Sequence, residues 1–301
     1  MPYLCGSFLF LLRVLCALRV LCVNCFPMKA MILAAGLGTR LRPLTDTCPK
    51  ALVEINGRTL LEIALTRLRA FDIKEVIINV HHFAEMVVDY LKSHNNFGMH
   101  AEISREDDLL LDTGGGLKKA AWFFLQSDEP FLLHNVDVIS TIDLHRMLQV
   151  HSENGALATL AVQSRRSSRL LLFNEQNQLA GRSAASKPIN KNVNPGPPAQ
   201  TGEARNLGKA LASPRSNETT SPSAAVGLHA LAFSGIHILS PRLLPMLTET
   251  GVFSIIDSYL RLAAQGEKII AFRADEYYWR DLGRPADLSQ AALDLQQSKI
   301  L

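Results

Sequence analysis

The stretch Met28-Lys29-Ala30-Met31-Ile32-Leu33-Ala34-Ala35-Gly36-Leu37-Gly38-Thr39-Arg40-Leu41-Arg42-Pro43-Leu44-Thr45, followed by Pro49-Lys50, constrains the fold more than any other. An apolar run that reads as a buried strand breaks into a glycine-bearing loop, and the loop carries arginines and then a lysine behind a proline. Gly36 and Gly38 admit backbone torsions closed to other residues and let main-chain N–H groups come close to an anion. Arg40 and Lys50 add full positive charge, so the stretch suits a phosphate-rich ligand. A plain tight turn accounts for the glycines equally well; the basic residues favour the phosphate reading.

Downstream, residues 51–55 read as a short strand closed by the turn signal Asn56-Gly57. Leu60, Leu61, Ala64, Leu65 and Leu68 recur at helical spacing. Residues 76–80 form a β-branched run of the kind buried on both faces of a parallel sheet. A helix follows, with Phe83, Met86, Val87, Tyr90 and Leu91 as its core face. Strands are predicted over 101–104, 131–134, 156–162, 231–239 and 269–272, and helices over 117–125, 144–151, 254–265 and the C-terminal end. The alternation predicts an α/β, Rossmann-like fold, an open and mostly parallel sheet with helices on both faces. Ligands of such sheets bind at the carboxyl ends of the strands. The Gly36 loop, the 112–116 loop and the 135–137 turn are therefore expected to meet at one edge.

The order L-A-A-G-x-G-T-R-L-x-P-L-T and then P-K resembles the signature of the sugar-1-phosphate nucleotidyltransferases, also called nucleotide-diphosphate-sugar pyrophosphorylases. The resemblance implies nucleotide contacts from Leu33, Ala34, Ala35, Gly36, Gly38 and Thr39, with Arg40 on the departing pyrophosphate and Lys50 on the α-phosphate. Asp112-Thr113-Gly114-Gly115-Gly116 lies just before a predicted helix; on its residues alone, a helix-start turn serves as well as a seat for a ring and an anion. The family places the nucleotide base there, against Thr113, Gly114 and Gly115. The triple glycine is most similar to the uridylyltransferases that act on N-acetylmuramate 1-phosphate.

Asn135-Val136-Asp137 ends a predicted strand, where a carboxylate can hold Mg²⁺ or simply be solvated. The family pattern is Asn-Gly-Asp, and the β-branched Val136 departs from it. Trp279-Arg280-Asp281-Leu282-Gly283 is similar to the family's W-x-D-x-G, so Asp281 either completes the Mg²⁺ site with Asp137 or caps the turn before Gly283. On the sugar side, a smaller β region, the resemblance implies Gly235 under the sugar ring, and Asn135 and Arg169 are the further expected contacts. Many relatives use a Glu-Lys-Pro lysine for the sugar phosphate. Here Lys187-Pro188 falls inside a Pro- and Ser-rich stretch, and Arg165, Arg166 and Arg169 are the alternatives.

These residue types suit nucleotidyl transfer. A sugar 1-phosphate is already ionised at neutral pH, so its attack on an α-phosphorus needs no general base. The obstacle is repulsion between two polyanions, which positioning and well-placed cations overcome. No Ser–His–Asp set is needed. His81-His82 point apart on a strand and read as packing or surface rather than metal ligands.

At 301 residues, 48% of them hydrophobic, the chain is long enough for one large α/β domain or two small ones. Arg13 and Arg19 are the charges of the first 27 residues, which leaves 29 basic against 28 acidic residues from Met28 onward, or +1. That is not the basic excess of a nucleic-acid binder. Of 5 cysteines, Cys48 alone lies beyond residue 27. It reads as loop packing in a reducing cytoplasm.

Residues 1–27 fit neither a membrane span, which two arginines interrupt, nor a signal peptide, whose charge precedes its apolar core. They are read as an upstream extension or mis-assigned start ahead of Met28, and membrane contact would depend on them. Residues 184–225 are too poor in apolar side chains to offset their ordering entropy and read as a disordered insertion. It separates a nucleotide-binding part, 28–183, from a sugar- and metal-binding part, 226–301. The expectation is a cytoplasmic, Mg²⁺-dependent enzyme joining a nucleoside triphosphate, UTP first, to a sugar 1-phosphate, N-acetylmuramate 1-phosphate first. Guanylyl transfer to mannose 1-phosphate and thymidylyl transfer to glucose 1-phosphate stay open. So does a non-catalytic subunit that senses nucleotide sugars, although that reading predicts loss of Lys50 or a carboxylate and all are present.

Overall fold

The apolar run after Met28 becomes β1 (Ala30–Leu33), the middle of a nine-stranded sheet. The computed structural model describes residues 28–183 and 227–297, so the readings of 1–27 and 184–225 lie outside the described residues. After β1 come the hairpin β2 (Glu54–Ile55) and β3 (Arg58–Thr59), α1 (Leu60–Ala70), β4 (Glu75–Val80), α2 (Ala84–Ser93) and β5 (His100–Arg105). Then follow α3 (Asp112–Lys119), β6 (Phe131–Asn135), β7 (Val138–Ser140), α4 (Leu144–Asn154), β8 (Ala158–Gln163), β9 (Leu170–Phe173) and β10 (Leu179–Arg182). The chain continues through β11 (His229–Leu239), α5 (Ile255–Ala264), β12 (Ile269–Arg273), β13 (Trp279–Asp281) and α6 (Pro285–Gln296).

β1 lies between β4 and β6, parallel to both, and β5 extends the parallel set beyond β4. β11 runs antiparallel to β6 and β8, while β12 pairs parallel with β8. The α/β, mostly parallel centre expected from the sequence is present, with one reversed strand inside it. Along β1, β4 and β6 successive residues face opposite cores. Ile32, Ile78 and Leu132 enter one, and Met31, Ile77 and Leu133 the other. Burial on both faces explains why these strands read as largely apolar runs.

β11 does more than extend the sheet. Its first residues pair with β9, which pairs with β10, and its register against β8 shifts between Phe233 and His237. Gly235, at φ +74°, sits in that shift. The left-handed torsion that glycine admits lets one strand serve the main sheet and the side β region.

Several expectations need correction. Residues 51–55 are not one strand: a 3₁₀ turn, Lys50–Leu52, precedes the two-residue β2. Met86 is 40% exposed and leaves the core face of α2 to Ala84, Val87 and Leu91. The 112–116 stretch is not a loop ahead of a helix at 117–125. It forms the first turns of α3, which ends at Lys119 before a short 3₁₀ turn, Ala121–Phe123. Glycine costs roughly 1 kcal/mol against alanine in a helix, but here tertiary contact requires its missing side chain. A Cβ on Gly114 would overlap the Phe253 ring, and one on Gly115 would sit 2.5 Å from the Gly251 carbonyl oxygen. Among the described residues, no helix is long and apolar enough to cross a membrane.

Candidate functional site

Beyond Leu33, Ala34 and Ala35 are buried while Gly36 and Thr39 are exposed. Gly38, at φ +64°, opens the 3₁₀ turn Thr39–Leu41, and a Cβ there would meet Thr45 Cγ2 at 2.9 Å and Lys50 Cβ at 3.1 Å. The glycine therefore lets the loop fold back on the lysine. Thr45 Oγ1 donates to the Gly38 carbonyl at 2.9 Å and closes the loop. Pro49 leads into the Lys50 turn, and the buried Lys50 ammonium pairs with the Asp137 carboxylate.

Asp137 follows β6 through Val136, whose N–H donates to the Leu33 carbonyl at 3.1 Å and whose side chain enters the core. The departure from Asn-Gly-Asp is thus absorbed by packing. β7 and β13 pair antiparallel, placing Asp281 opposite Val138, and the Leu282 N–H donates to the Asp137 carbonyl at 2.8 Å. Asp281 Oδ1 accepts from the Gly283 N–H at 2.7 Å, so the turn-capping role and the acidic pairing coexist. Burial, and next the Asp137 charge, hold the Asp281 carboxyl above its ordinary range, against the pull of Lys50 and Arg40. The exposed Arg40 guanidinium lies over Gly283, where a Cβ would overlap it. One guanidinium and one ammonium from the loop after β1, and two carboxylates from two distant parts of the chain, thus share one rim of the sheet.

The sugar-side expectations fare differently. Gly235 makes room for the Asn135 side chain, whose Nδ2 a Cβ would approach to 2.8 Å. The exposed Arg169 guanidinium has no described partner; the residue's described bonds are backbone bonds to the Ser167 hydroxyl. Arg165 is the arginine that joins the cluster. Its guanidinium lies 3.7 Å from the Trp279 ring centre, donates to the Phe233 carbonyl at 2.6 Å, and leaves a buried Nε–H without a partner. Burial lowers its pKa while the Asp281 charge raises it. Trp279 is itself held by its Nε1–H on the Ser234 carbonyl at 2.7 Å.

The glycine-rich end of α3 faces protein. The Gly114 and Gly115 N–H groups point at the Phe253 carbonyl, at 2.9 and 3.4 Å, and Thr113 Oγ1 accepts from the Ile255 N–H at 3.0 Å. Sequence reasoning missed the buried residues behind this wall, Asn79 at the end of β4 and Glu106 just after β5. Their signal was polarity at the carboxyl ends of two parallel strands.

No group of three or more His, Cys, Asp or Glu among the described residues could hold a metal ion. Two carboxylates suit a hard divalent ion that takes the rest of its oxygens from phosphate and water. His81 Nδ1–H donates to the Glu106 carbonyl at 2.5 Å, so His81 packs, and His82 lies exposed against Phe83. The Cys48 thiol meets the Pro49 carbonyl at 3.4 Å, and burial raises its pKa, the opposite of nucleophile activation.

The family model described as nucleotidyl transferase matches residues 29–298. The chain belongs to this family. Among its relatives, the N-acetylmuramate alpha-1-phosphate uridylyltransferase of Caulobacter vibrioides is 43% identical over 115 residues, 38% of this chain and 47% of that one. The UTP–glucose-1-phosphate uridylyltransferase of Synechocystis is 36% identical over 141 residues, 44% of this chain and 36% of that one. The match therefore spans less than half the length of either relative. The crystal structure of a UDP-glucose pyrophosphorylase complexed with UDP-glucose superposes with a TM-score of 0.65, over 91% of this chain and 100% of that one, at 19% identity. Likeness at that identity speaks for the fold of this nucleotidyl transferase family member.

Proposed function

We propose that the chain joins a nucleoside triphosphate to a sugar 1-phosphate and releases pyrophosphate. The observation that carries this reading is the convergence of Arg40 and Lys50 on the Asp137–Asp281 pair. A phosphate oxygen of the sugar 1-phosphate attacks the α-phosphorus, a new P–O bond forms, and the bond from the α-phosphorus to the bridging oxygen breaks. Pyrophosphate leaves with that oxygen and its electron pair. Lys50 holds the α-phosphate, Arg40 the departing pyrophosphate, and the Gly36–Thr39 backbone lies against the phosphates. Asp137 and Asp281 would hold Mg²⁺, which when bound supplies charge neutralisation at the phosphates. Nothing in this chemistry requires a proton acceptor, consistent with the inert Cys48.

On the sugar side, Arg165 takes the place of the absent Glu-Lys-Pro lysine, in preference to Arg169. It is held against Trp279 two positions from Asp281 and has hydrogen-bonding capacity to spare. UTP is the triphosphate favoured by the two relatives named as uridylyltransferases. The triple glycine favours N-acetylmuramate 1-phosphate as the sugar. A cytoplasmic setting, where nucleoside triphosphates are abundant, is the compartment this reading requires.

The test is pyrophosphate release from each triphosphate across a panel of sugar 1-phosphates. UTP with N-acetylmuramate 1-phosphate is expected to give the highest kcat/KM. Preference for GTP with mannose 1-phosphate would overturn the uridylyl assignment, and no release from any pair would overturn the transferase reading.

A further inference from the structure

The two walls of the candidate nucleotide cleft are joined by one buried pair of side chains. Ala34, where the phosphate loop leaves β1, donates its N–H to Asn79 Oδ1 at 2.7 Å. Asn79 Nδ2 donates to Glu106 Oε1 at 2.7 Å, and Glu106 Oε2 accepts the N–H of Leu111, the residue before α3, at 2.8 Å. Asn79 is 3% exposed and Glu106 is 1% exposed. The space they fill is given by Gly116, where a Cβ would lie 2.8 Å from Glu106 Oε1 and 2.9 Å from Asn79 Nδ2.

We propose that Asn79 and Glu106 are positioning residues that fix the separation of the phosphate loop from α3, and through it the fit of the nucleoside triphosphate. The inference rests on the nucleotidyl-transfer reading. It follows from the polarity of the chain of bonds. Both ends are backbone donors, so the two side chains between them must supply three acceptors and one donor. An amide with a carboxylate does this. Two amides leave donor facing donor somewhere, whichever way each is flipped, and two carboxylates leave oxygen facing oxygen. A buried carboxylate is costly, and here it makes the chain of bonds complete. The reversed pair, Asp at 79 and Gln at 106, has the same shape and charge and satisfies all three bonds again. Neither side chain needs to touch a substrate.

The test is steady-state kinetics with UTP and the sugar 1-phosphate on Glu106→Gln, Asn79→Asp and the double variant, alongside hydrogen exchange at the Ala34 and Leu111 amides. Glu106→Gln is expected to raise the KM for UTP about tenfold, with the KM for the sugar phosphate within about twofold. Asn79→Asp goes the same way, and N79D/E106Q returns the KM for UTP to within about threefold of wild type. The two amides exchange faster in either single variant and recover in the double one. An unchanged KM for UTP in both single variants, equal rises for both substrates, or a double variant no better than the worse single one would overturn the proposal. A wild-type chain with no turnover ends the transferase reading instead, and the amide exchange still reports whether the pair holds both walls.

Discussion

Lys50 and Asp137 form a partly buried ion pair across 87 positions of sequence, and the ammonium rests on the carboxylate whose charge acts on Asp281. Two neighbouring acids need a cation between them. Lys50 supplies one within the chain itself. Replacing Lys50 with Met should therefore have opposite effects on two measurements. Turnover should fall by about 10²–10³-fold, the loss typical of removing one charge-stabilising donor. Mn²⁺ affinity without nucleotide, read by calorimetry, should rise because the competing ammonium is gone. Asp137→Ala should lose both metal binding and turnover while keeping a native circular dichroism spectrum. Unchanged Mn²⁺ affinity in K50M would remove the competition from the account.

Arg165 and Arg169 lie close in sequence and differ in surroundings. Arg165 is clamped between Trp279 and the Phe233 carbonyl, and Arg169 is exposed. Arg165→Met should raise the KM for the sugar 1-phosphate about ten- to a hundredfold, the range for a lost charged hydrogen bond of about 1.5–3 kcal/mol. The KM for UTP should hold, and Arg169→Met should leave both near wild type. Kinetics giving the reverse ranking would return the sugar site to Arg169.

What the sequence disclosed, and what it hid, divides along the range of the interactions. Residues 76–80 were legible as a strand because burial on both faces leaves an apolar run visible in five letters. The loop that carries Arg40 and Lys50 was legible as one unit because Gly38, Arg40 and Lys50 lie within one short segment. The α3 glycines were misread as a loop because their requirement comes from Phe253 and from Glu106 with Asn79, which no local pattern encodes. Arg165 could be named only as one of three arginines, since Trp279 selects it from more than a hundred positions away. β9 went unseen because the strand that ties it into the sheet, the first residues of β11, lies far along the chain.

Gly283 lies under the Arg40 guanidinium and next to Asp281 Oδ1, at 2.7 Å for an added Cβ. Gly283 does not have a positive φ, so Gly283→Ala costs little backbone strain. The flexible end of Arg40 and the Asp281 carboxylate oxygen are what must move. The expected result is a thermal midpoint close to wild type, with kcat/KM for UTP reduced about tenfold as the guanidinium leaves the position proposed for pyrophosphate. A large fall in the midpoint would mean that the Asp281 turn, rather than Arg40, gave way.

Three buried histidines set the response to mild acid. His134 and His151 are pushed down to about 4 and His237 to about 3, in each case chiefly by burial. Their second influences are Arg67 on His134, Arg242 on His151 and His134 on His237. All three are neutral in the folded chain at pH 5, whereas an unfolded histidine, near 6.5, is then protonated. The unfolded state therefore binds more protons, and the histidine contribution to stability, fully present above about pH 6.5, is lost as the pH falls toward the folded values. Each group contributes a slope of up to about 1.4 kcal/mol per pH unit in that window. Glu249, held down to about 2 chiefly by its hydrogen bonds from Arg261, is lost from the balance only below its ordinary 4.5. Between pH 7 and 5 the histidines thus dominate over this carboxylate. Denaturant midpoints over that range should fall with pH. His151→Asn, which keeps a partner for the Thr159 hydroxyl now 2.9 Å from Nδ1, should flatten the decline by one group's share even if it lowers stability at every pH. A decline as steep as wild type in His151→Asn would show that His151 is already charged in the folded chain.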